Sequence, residues 1–303
     1  MSASPSVSVS WLINGREFNK PGVSRQAEEE ERQMSKIQEK WAGLVSLERK
    51  RGLFVGSAGY TATHVPHAVK ICFAVESGDK FYFRVGAAGE WISCEAAIIA
   101  PDQPHQIDGC GKNLALFYLM PETAEAQKVL EKYLNHNRGF ALISRVAVAD
   151  LSVRLSSVLN RWCCTRDEAF DLGNHLIHSL KLSPSVSWRE SLDKRVERAV
   201  EYIESKVEDK IFVKDIAKIA WSSAGMLAHV FKDETQIAVH QYQLWLKLRA
   251  AIKCMSFSKN LDYIANAAGF FDQSHINKHF LKMHGILPSA LLRHSKIINN
   301  EDA

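Results

Sequence analysis

Two stretches near the C-terminus, VKDIAKIAWSSAGMLAHVFKDE and LDYIANAAGFFDQSHINKHFLKMH, repeat one pattern at a spacing of about 48 residues. Ile216 and Ala217 match Ile264 and Ala265, Leu227 matches Ile276, and Phe231 matches Phe280; the second copy holds one extra residue in its turn. No other feature restricts the fold of the chain as much. A small alanine lets two helices cross closely, a turn follows, and an aliphatic residue with a Phe four positions on anchors the second helix. That is a helix-turn-helix, present twice. The anchors occupy one side of each second helix and leave the other side for a nucleic-acid groove.

Ser223 and Asp272 stand as N-caps, so each second helix begins where its first residues reach a base edge. In the second copy Gln273, Ser274, His275, Asn277 and Lys278 gather hydrogen-bonding groups on the outward side, and Gln or Asn to adenine and Lys to guanine are groove contacts. The first copy is poorer. Its outward positions Ala224, Gly225, Ala228 and His229 offer one strong donor, which suits phosphate contacts and apolar contact with a thymine methyl. Lys232, Lys253, Lys278 and Lys282 are candidates for the DNA backbone. Between the copies HQYQLWLKLRAAIKCM predicts one helix of roughly 22 Å, long enough to set the units about one DNA turn apart. A polar helix face is most often merely solvated; duplication, turn grammar and charge together favour the groove.

The charge supports this when it is divided. Residues 210–298 carry 12 Lys and Arg against 5 Asp and Glu, a surplus of 7 in a chain whose formal net charge is +4. The basic end suits a polyanion. With 46% apolar and 24% charged residues the chain is an ordinary globular one, and its 303 residues predict two domains. No apolar run approaches the ~20 residues of a membrane span, and MSASPSVSVSWLING lacks the form of a signal peptide, which predicts a cytoplasmic protein. The six cysteines have no CxxC spacing and read as reduced thiols; adjacent Cys163 and Cys164 suit helix packing better than redox chemistry.

Upstream, residues 1–23 read as loose, with SVSVSWL able to add an edge strand, and RQAEEEERQMSKIQEKWAGLVSLERKR reads as a helix from Ser24 to about Arg51 with Met34, Ile37, Trp41, Leu44 and Val45 as its stripe. AVKICFAV, KFYFRV, EAAIIAP and NLALFYL are strands of a compact antiparallel barrel or sandwich. Helical periodicity returns in PETAEAQKVLEKYL, in the stripe Val148, Leu151, Leu155, Val158, Leu159 and Trp162, and in EAFDLGNHLIHSL. These helices either pack on the strands or pair with a second subunit. LSPSVSW breaks the periodicity as a linker.

The C-terminal residues resemble the AraC/XylS family of bacterial transcription regulators over roughly 195–293. The family pattern appears as Gly269, Phe270, Asp272, Ser274, Ile276, Lys278, Phe280, Gly285 and Pro288, with Ile276, Lys278, Leu287, Leu291 and Gln236 departing from its usual residues. The resemblance implies an N-terminal sensing and dimerising domain, often cupin-like. The expected fold is therefore α+β, an N-terminal cupin-like antiparallel β-barrel with flanking helices and a C-terminal all-α double helix-turn-helix. Its parts are a flexible N-terminus and helix (1–52), the cupin-like domain (53–120), a helical dimerisation region (121–181), a linker (182–192) and the DNA-binding domain (193–298).

His64, His67 and His105 invite a metal reading beside one of local hydrogen bonding, but their spacing departs from both cupin motifs, and no metal or cofactor is expected. With Phe73, Phe83 and Trp91 they are the candidate ligand-binding residues; aromatic strand residues also serve as core. No nucleophile elbow, phosphate loop or paired carboxylates appear, so no enzyme is expected. The reading is a sequence-specific transcription regulator, an activator by resemblance, that binds double-stranded promoter DNA as a homodimer, contacts RNA polymerase and takes a small-molecule effector. The alternative is a cupin-type metal-dependent enzyme or metal sensor fused to a DNA-binding module.

Overall fold

The computed structural model describes residues 10–13, 16–19, 41–134, 139–181, 192–207, 209, 211–235 and 237–299. The chain divides into two compact units, Met1–Lys36 and Ile37–Ala303. In the first, β1 (Ser10–Ile13) and β2 (Arg16–Asn19) pair antiparallel, Ser10 opposite Asn19.

The second unit is built on a seven-stranded sheet. Its strands are β3 (Ala42–Glu48), β4 (Arg51–Ser57), β5 (Val69–Ala74), β8 (Ala96–Ile99), β10 (Asn113–Leu119), β11 (Phe140–Leu142) and β12 (Lys296–Asn299), in the order β11-β8-β5-β10-β4-β3-β12. A smaller sheet holds β6 (Phe81–Val85), β7 (Ile92–Cys94) and β9 (His105–Asp108) in the order β7-β6-β9. The expected antiparallel domain is present as two sheets; the described strands do not close into a barrel.

Strand pleating sorts the large sheet into two faces. Leu44, Leu53, Val55, Ile71, Phe73, Ala115 and Phe117 lie on one, in a core shared with Leu151 and Leu155 of α2 (Ala149–Arg161) and Leu172 and Leu176 of α3 (Arg166–Ser179). Burying each such Leu, Ile or Phe contributes about 1.5–3 kcal/mol. Thr165 and Glu168 close a capping box at the start of α3, which orients it on the sheet. Before these, α1 (Ala124–Val129) runs into a π-helical turn at Leu130–Leu134.

The helix expected from Ser24 to Arg51 is corrected over its described part, because Ala42–Glu48 is β3. Leu44, Val45, Ser46 and Leu47 are all buried, so the strand is covered on both faces and shows no alternation. The apparent stripe of Trp41, Leu44 and Val45 is an accident of that run. The rest of that expectation, the linker 182–192 apart from Leu192, and Gln236 lie outside the described residues.

The C-terminal helices are α4 (Lys194–Ser205), α5 (Val213–Ile219), α6 (Ala224–Thr235), α7 (Val239–Cys254), α8 (Leu261–Ala267), α9 (Gln273–His284) and α10 (Pro288–His294). Every repeated anchor is buried: Ile216, Ala217, Leu227 and Phe231 in the first copy, Ile264, Ala265, Ile276 and Phe280 in the second. At 16 residues α7 spans about 24 Å.

The second copy is docked on the side of the sheet opposite α2 and α3. Ala62 N–H donates to the Gly285 carbonyl at 2.8 Å and Val65 N–H to the Lys282 carbonyl at 2.9 Å. Lys50 bonds Glu122 at 3.0 Å and the Tyr242 hydroxyl at 3.1 Å, Arg49 pairs with Glu204, and Arg249 donates to the Glu48 carbonyl. After α10 the chain returns as β12, parallel to β3 with Lys296 opposite Leu44.

Gly285 makes this seam possible. Its φ is +74°, and a Cβ there would lie 2.6 Å from His64 Nδ1 and 2.8 Å from the Ala62 carbonyl oxygen. Gly285→Ala adds left-handed strain to a clash with backbone, and a loss of about 2–4 kcal/mol is expected. Chemical denaturation monitored by circular dichroism checks this; an unchanged midpoint contradicts the close docking.

Candidate nucleic-acid interface and interdomain cavity

Both turns close in one way. Ser222 N–H donates to the Ala217 carbonyl at 2.9 Å and Phe270 N–H to the Ala265 carbonyl at 2.8 Å. The residue before each donor is left-handed: Trp221 (φ +52°) in the first copy and Gly269 (φ +73°) in the second. Ser223 Oγ then accepts from Met226 N–H at 3.2 Å, and Asp272 Oδ1 from His275 N–H at 2.7 Å. The copies differ in quality. Asn260 caps α8 by accepting from Asp262 and Tyr263 N–H, whereas Phe212 at the equivalent start of α5 makes no side-chain cap bond.

On α6, Ala224, Gly225, Ala228, His229 and Lys232 are exposed, as is Ser223 before them, and nothing lies within 4 Å of where a Gly225 Cβ would stand. On α9, Ser274, His275, Lys278 and Lys282 are exposed and Gln273 and Asn277 half-buried. All twelve candidate residues thus lie on or at the edge of two outward helix sides. His275 Nδ1 accepts from Phe271 N–H at 3.3 Å, which ties the ring to the turn. Beside it His279 is held below the usual imidazole range by burial and by the nearby His275, Lys278 and Lys282. Sequence reasoning missed Trp221 and Phe271, 79% and 86% exposed at the two turns.

The second feature is a cavity of about 90 Å³ between the C-terminal helices and the sheet face opposite α2 and α3. Trp41, Phe54 and Tyr118 line it from the sheet, Trp245 from α7, and Phe280 and His284 from α9. Lys70 also lines it. Its neighbours Val69, Ile71 and Phe73 face the helix-side core, so the pleat turns Lys70 the other way.

Lys70 is wholly buried, with Nζ 2.6 Å from His64 Nε2 and 2.8 Å from His105 Nε2. The Nδ1 atoms bond the Ala62 carbonyl at 3.0 Å and the Gln103 carbonyl at 2.7 Å. Those bonds place a proton on Nδ1 and leave each Nε2 to accept from the ammonium. Lys70 also lies 5.2 Å from the centre of the Tyr118 ring. Among the described residues no carboxylate pairs with it. Burial lowers Lys70 to about 8. Burial first, and then the Lys70 charge, holds His64 and His105 well below the imidazole range and brings His284 to about 3.

Of the candidate ligand residues, the structure brings together only His64 and His105, behind Lys70. His67 bonds Asp102 at 3.0 Å, Phe73 and Phe83 are core, and Trp91 is 39% exposed beside Arg84. None of the six lines the cavity. The missed residue had a sequence signal: Lys70 is the lone charge in the apolar strand VKICFA.

The histidines give a pH dependence. Their folded values lie below the unfolded one, so the unfolded chain binds protons first as pH falls below about 6.5, and stability held above that pH is lost. Urea unfolding from pH 8 to about pH 5 is expected to show a falling midpoint, with a shallower fall in Lys70→Met, whose histidines are freed of the adjacent charge. Parallel curves would contradict the assignment.

Residues 216–294 match the family model described as a helix-turn-helix domain. A protein described as "probable transcriptional regulator LumQ" from Photobacterium leiognathi is 29% identical over 89 residues, 29% of this chain. The match covers 36% of that relative's length. Among solved structures, an apo ToxT variant from Vibrio cholerae superposes with a TM-score of 0.54 at 10% identity over 82% of this chain and 99% of its own. Wild-type ToxT with unsaturated fatty acid bound gives 0.50 at 12% identity over 82% and 96%. At these identities the likeness is one of fold, and it extends over both the sheets and the helices. Among the described residues no helix is long and apolar enough to cross a membrane.

Proposed function

With an AraC-type helix-turn-helix domain as its C-terminal part, we propose that the chain is a sequence-specific transcription regulator whose grip on promoter DNA responds to an apolar acid held in the interdomain cavity. The carrying observation is the make-up of the cavity wall. Phe280 and His284 belong to the helix whose other side reads DNA, and Phe54, Lys70 and Tyr118 to the sheet. A ligand there touches both, and it shifts the balance between two arrangements by its difference in affinity for them.

The ligand class follows from Lys70. A buried ammonium whose polar partners are two imidazoles, at the edge of an aromatic cavity, favours a carboxylate head on an apolar body. The fatty acid in ToxT supports the same class. The enzyme alternative gains nothing from His64 and His105, whose Nε2 atoms are turned to Lys70. Exposed Val146 and Val153 at α2 and Phe170 on α3 support a homodimer through these helices, and activation through RNA polymerase, in the cytoplasm, completes the reading.

Two measurements test it. Fragments selected from genomic DNA by the full-length protein supply a duplex, and Lys278→Ala is expected to weaken binding to it by about 1–3 kcal/mol while altering binding to scrambled DNA much less. Equal loss on both would reduce Lys278 to a backbone contact; no preference of the wild type for any selected duplex defeats the regulator reading. For the effector, oleate is expected to raise the melting temperature more than oleyl alcohol, and Lys70→Met to erase that difference. Oleate binding undiminished in Lys70→Met excludes the ammonium as its head-group site.

A further inference from the structure

Trp221 is poorly explained by the fold around it. It takes the left-handed position that Gly269 fills in the second copy, at φ +52°, and remains 79% exposed. A Cβ in that conformation is strained, and an indole left in water recovers little by burial. The second copy closes the identical turn with glycine, so helix-turn-helix geometry does not require the indole.

One contact engages its ring. The guanidinium of Arg198, on α4, lies 4.2 Å from the ring centre. Arg198 Nε is buried without a hydrogen-bond partner, and among the described residues no carboxylate pairs with this side chain. The nearby Asp193 carboxylate is taken by Arg195, at 2.6 and 2.9 Å. The stack therefore presents a positive charge on a flat aromatic support two residues before Ser223, the cap of α6.

That helix otherwise has little to hold DNA with: Ala224, Gly225 and Ala228 carry no polar side chain, and His229 lies 3.4 Å from Asp233. We propose that Arg198 and Trp221 form a clamp for the DNA sugar–phosphate backbone at the start of α6. The guanidinium takes phosphate oxygens, and the indole lies against the adjoining deoxyribose while its N–H donates to the same strand. The clamp supplies the affinity of the first unit, and base reading stays with α9. It rests on the regulator reading above.

The test uses the full-length protein, a genomically selected duplex and its scrambled counterpart, with anisotropy measured across a salt series. Trp221→Gly is expected to raise the melting temperature by about 2 °C or more, because glycine relieves the turn, while weakening binding to both duplexes about five-fold or more. Arg198→Gln is expected to weaken both in similar proportion and to lower the slope of log affinity against log salt by about 0.9, one phosphate contact. A Trp221→Gly protein with a raised or unchanged melting temperature and wild-type affinity overturns the clamp, as does an unchanged salt slope in Arg198→Gln. If the wild type prefers no selected duplex, the regulator reading fails first and the clamp with it.

Discussion

A buried ammonium must be given acceptors, and much of the second unit follows from where Lys70 finds them. Taking it out of water costs several kcal/mol. The two imidazoles that offset the cost come from segments outside regular strand pairing on the His64 side, joined by the bridges His64–His105 and Tyr60–Asp108 and by Thr61 bonding Ile107. Each ring is oriented by a backbone carbonyl, so both lone pairs meet at one point. His64 also lies against Gly285, where the chain leaves α9. One cluster therefore joins the two sheets, reaches the cavity through Lys70 and abuts the end of α9.

The two helix-turn-helix copies share a frame and divide the work unequally. The second has a good N-cap in Asn260, a glycine at its left-handed position and a polar outward side. The first has Phe212, Trp221 and a run of small residues. The second copy docks on the 62–65 segment through Gly285 and Lys282, while α4, which packs with the first copy, is tied to the β3–β4 turn through Glu204. On the proposed function, base reading falls to the half that lines the cavity, through Phe280 and His284.

What could be read in the sequence depended on whether local periodicity survives folding. The repeated anchors were legible because each helix is one-sided, so Leu227 with Phe231 and Ile276 with Phe280 mark the buried side directly. Asp272 was legible as a cap because its role is local. β3 was not, since burial on both faces removes alternation. Phe73 was drawn into the ligand set by its type alone; parity along VKICFA puts it opposite to Lys70, on the helix-side core. The cavity itself was out of reach, because Phe54, Tyr118 and Phe280 come together only after the C-terminal helices dock on the sheet.

The return of the chain as β12 constrains how any signal can travel. β12 pairs with β3, and α10 just before it buries Leu291 and Leu292, so the C-terminal domain is held to the sheet at its far end as well as at Gly285. A rigid swing of the whole domain has to break strand hydrogen bonds as well as the ion pairs of Arg49 and Lys50 with Glu204. A shift of α9 relative to α7 leaves those bonds in place and rearranges the Gly285 and Lys282 seam, the Lys247 bond to the Gly269 carbonyl at 2.8 Å and the apolar cavity lining. The smaller motion changes the register between α6 and α9. On the proposed function, an effector in the cavity therefore acts most economically on the angle of α9, the helix to which base reading is assigned.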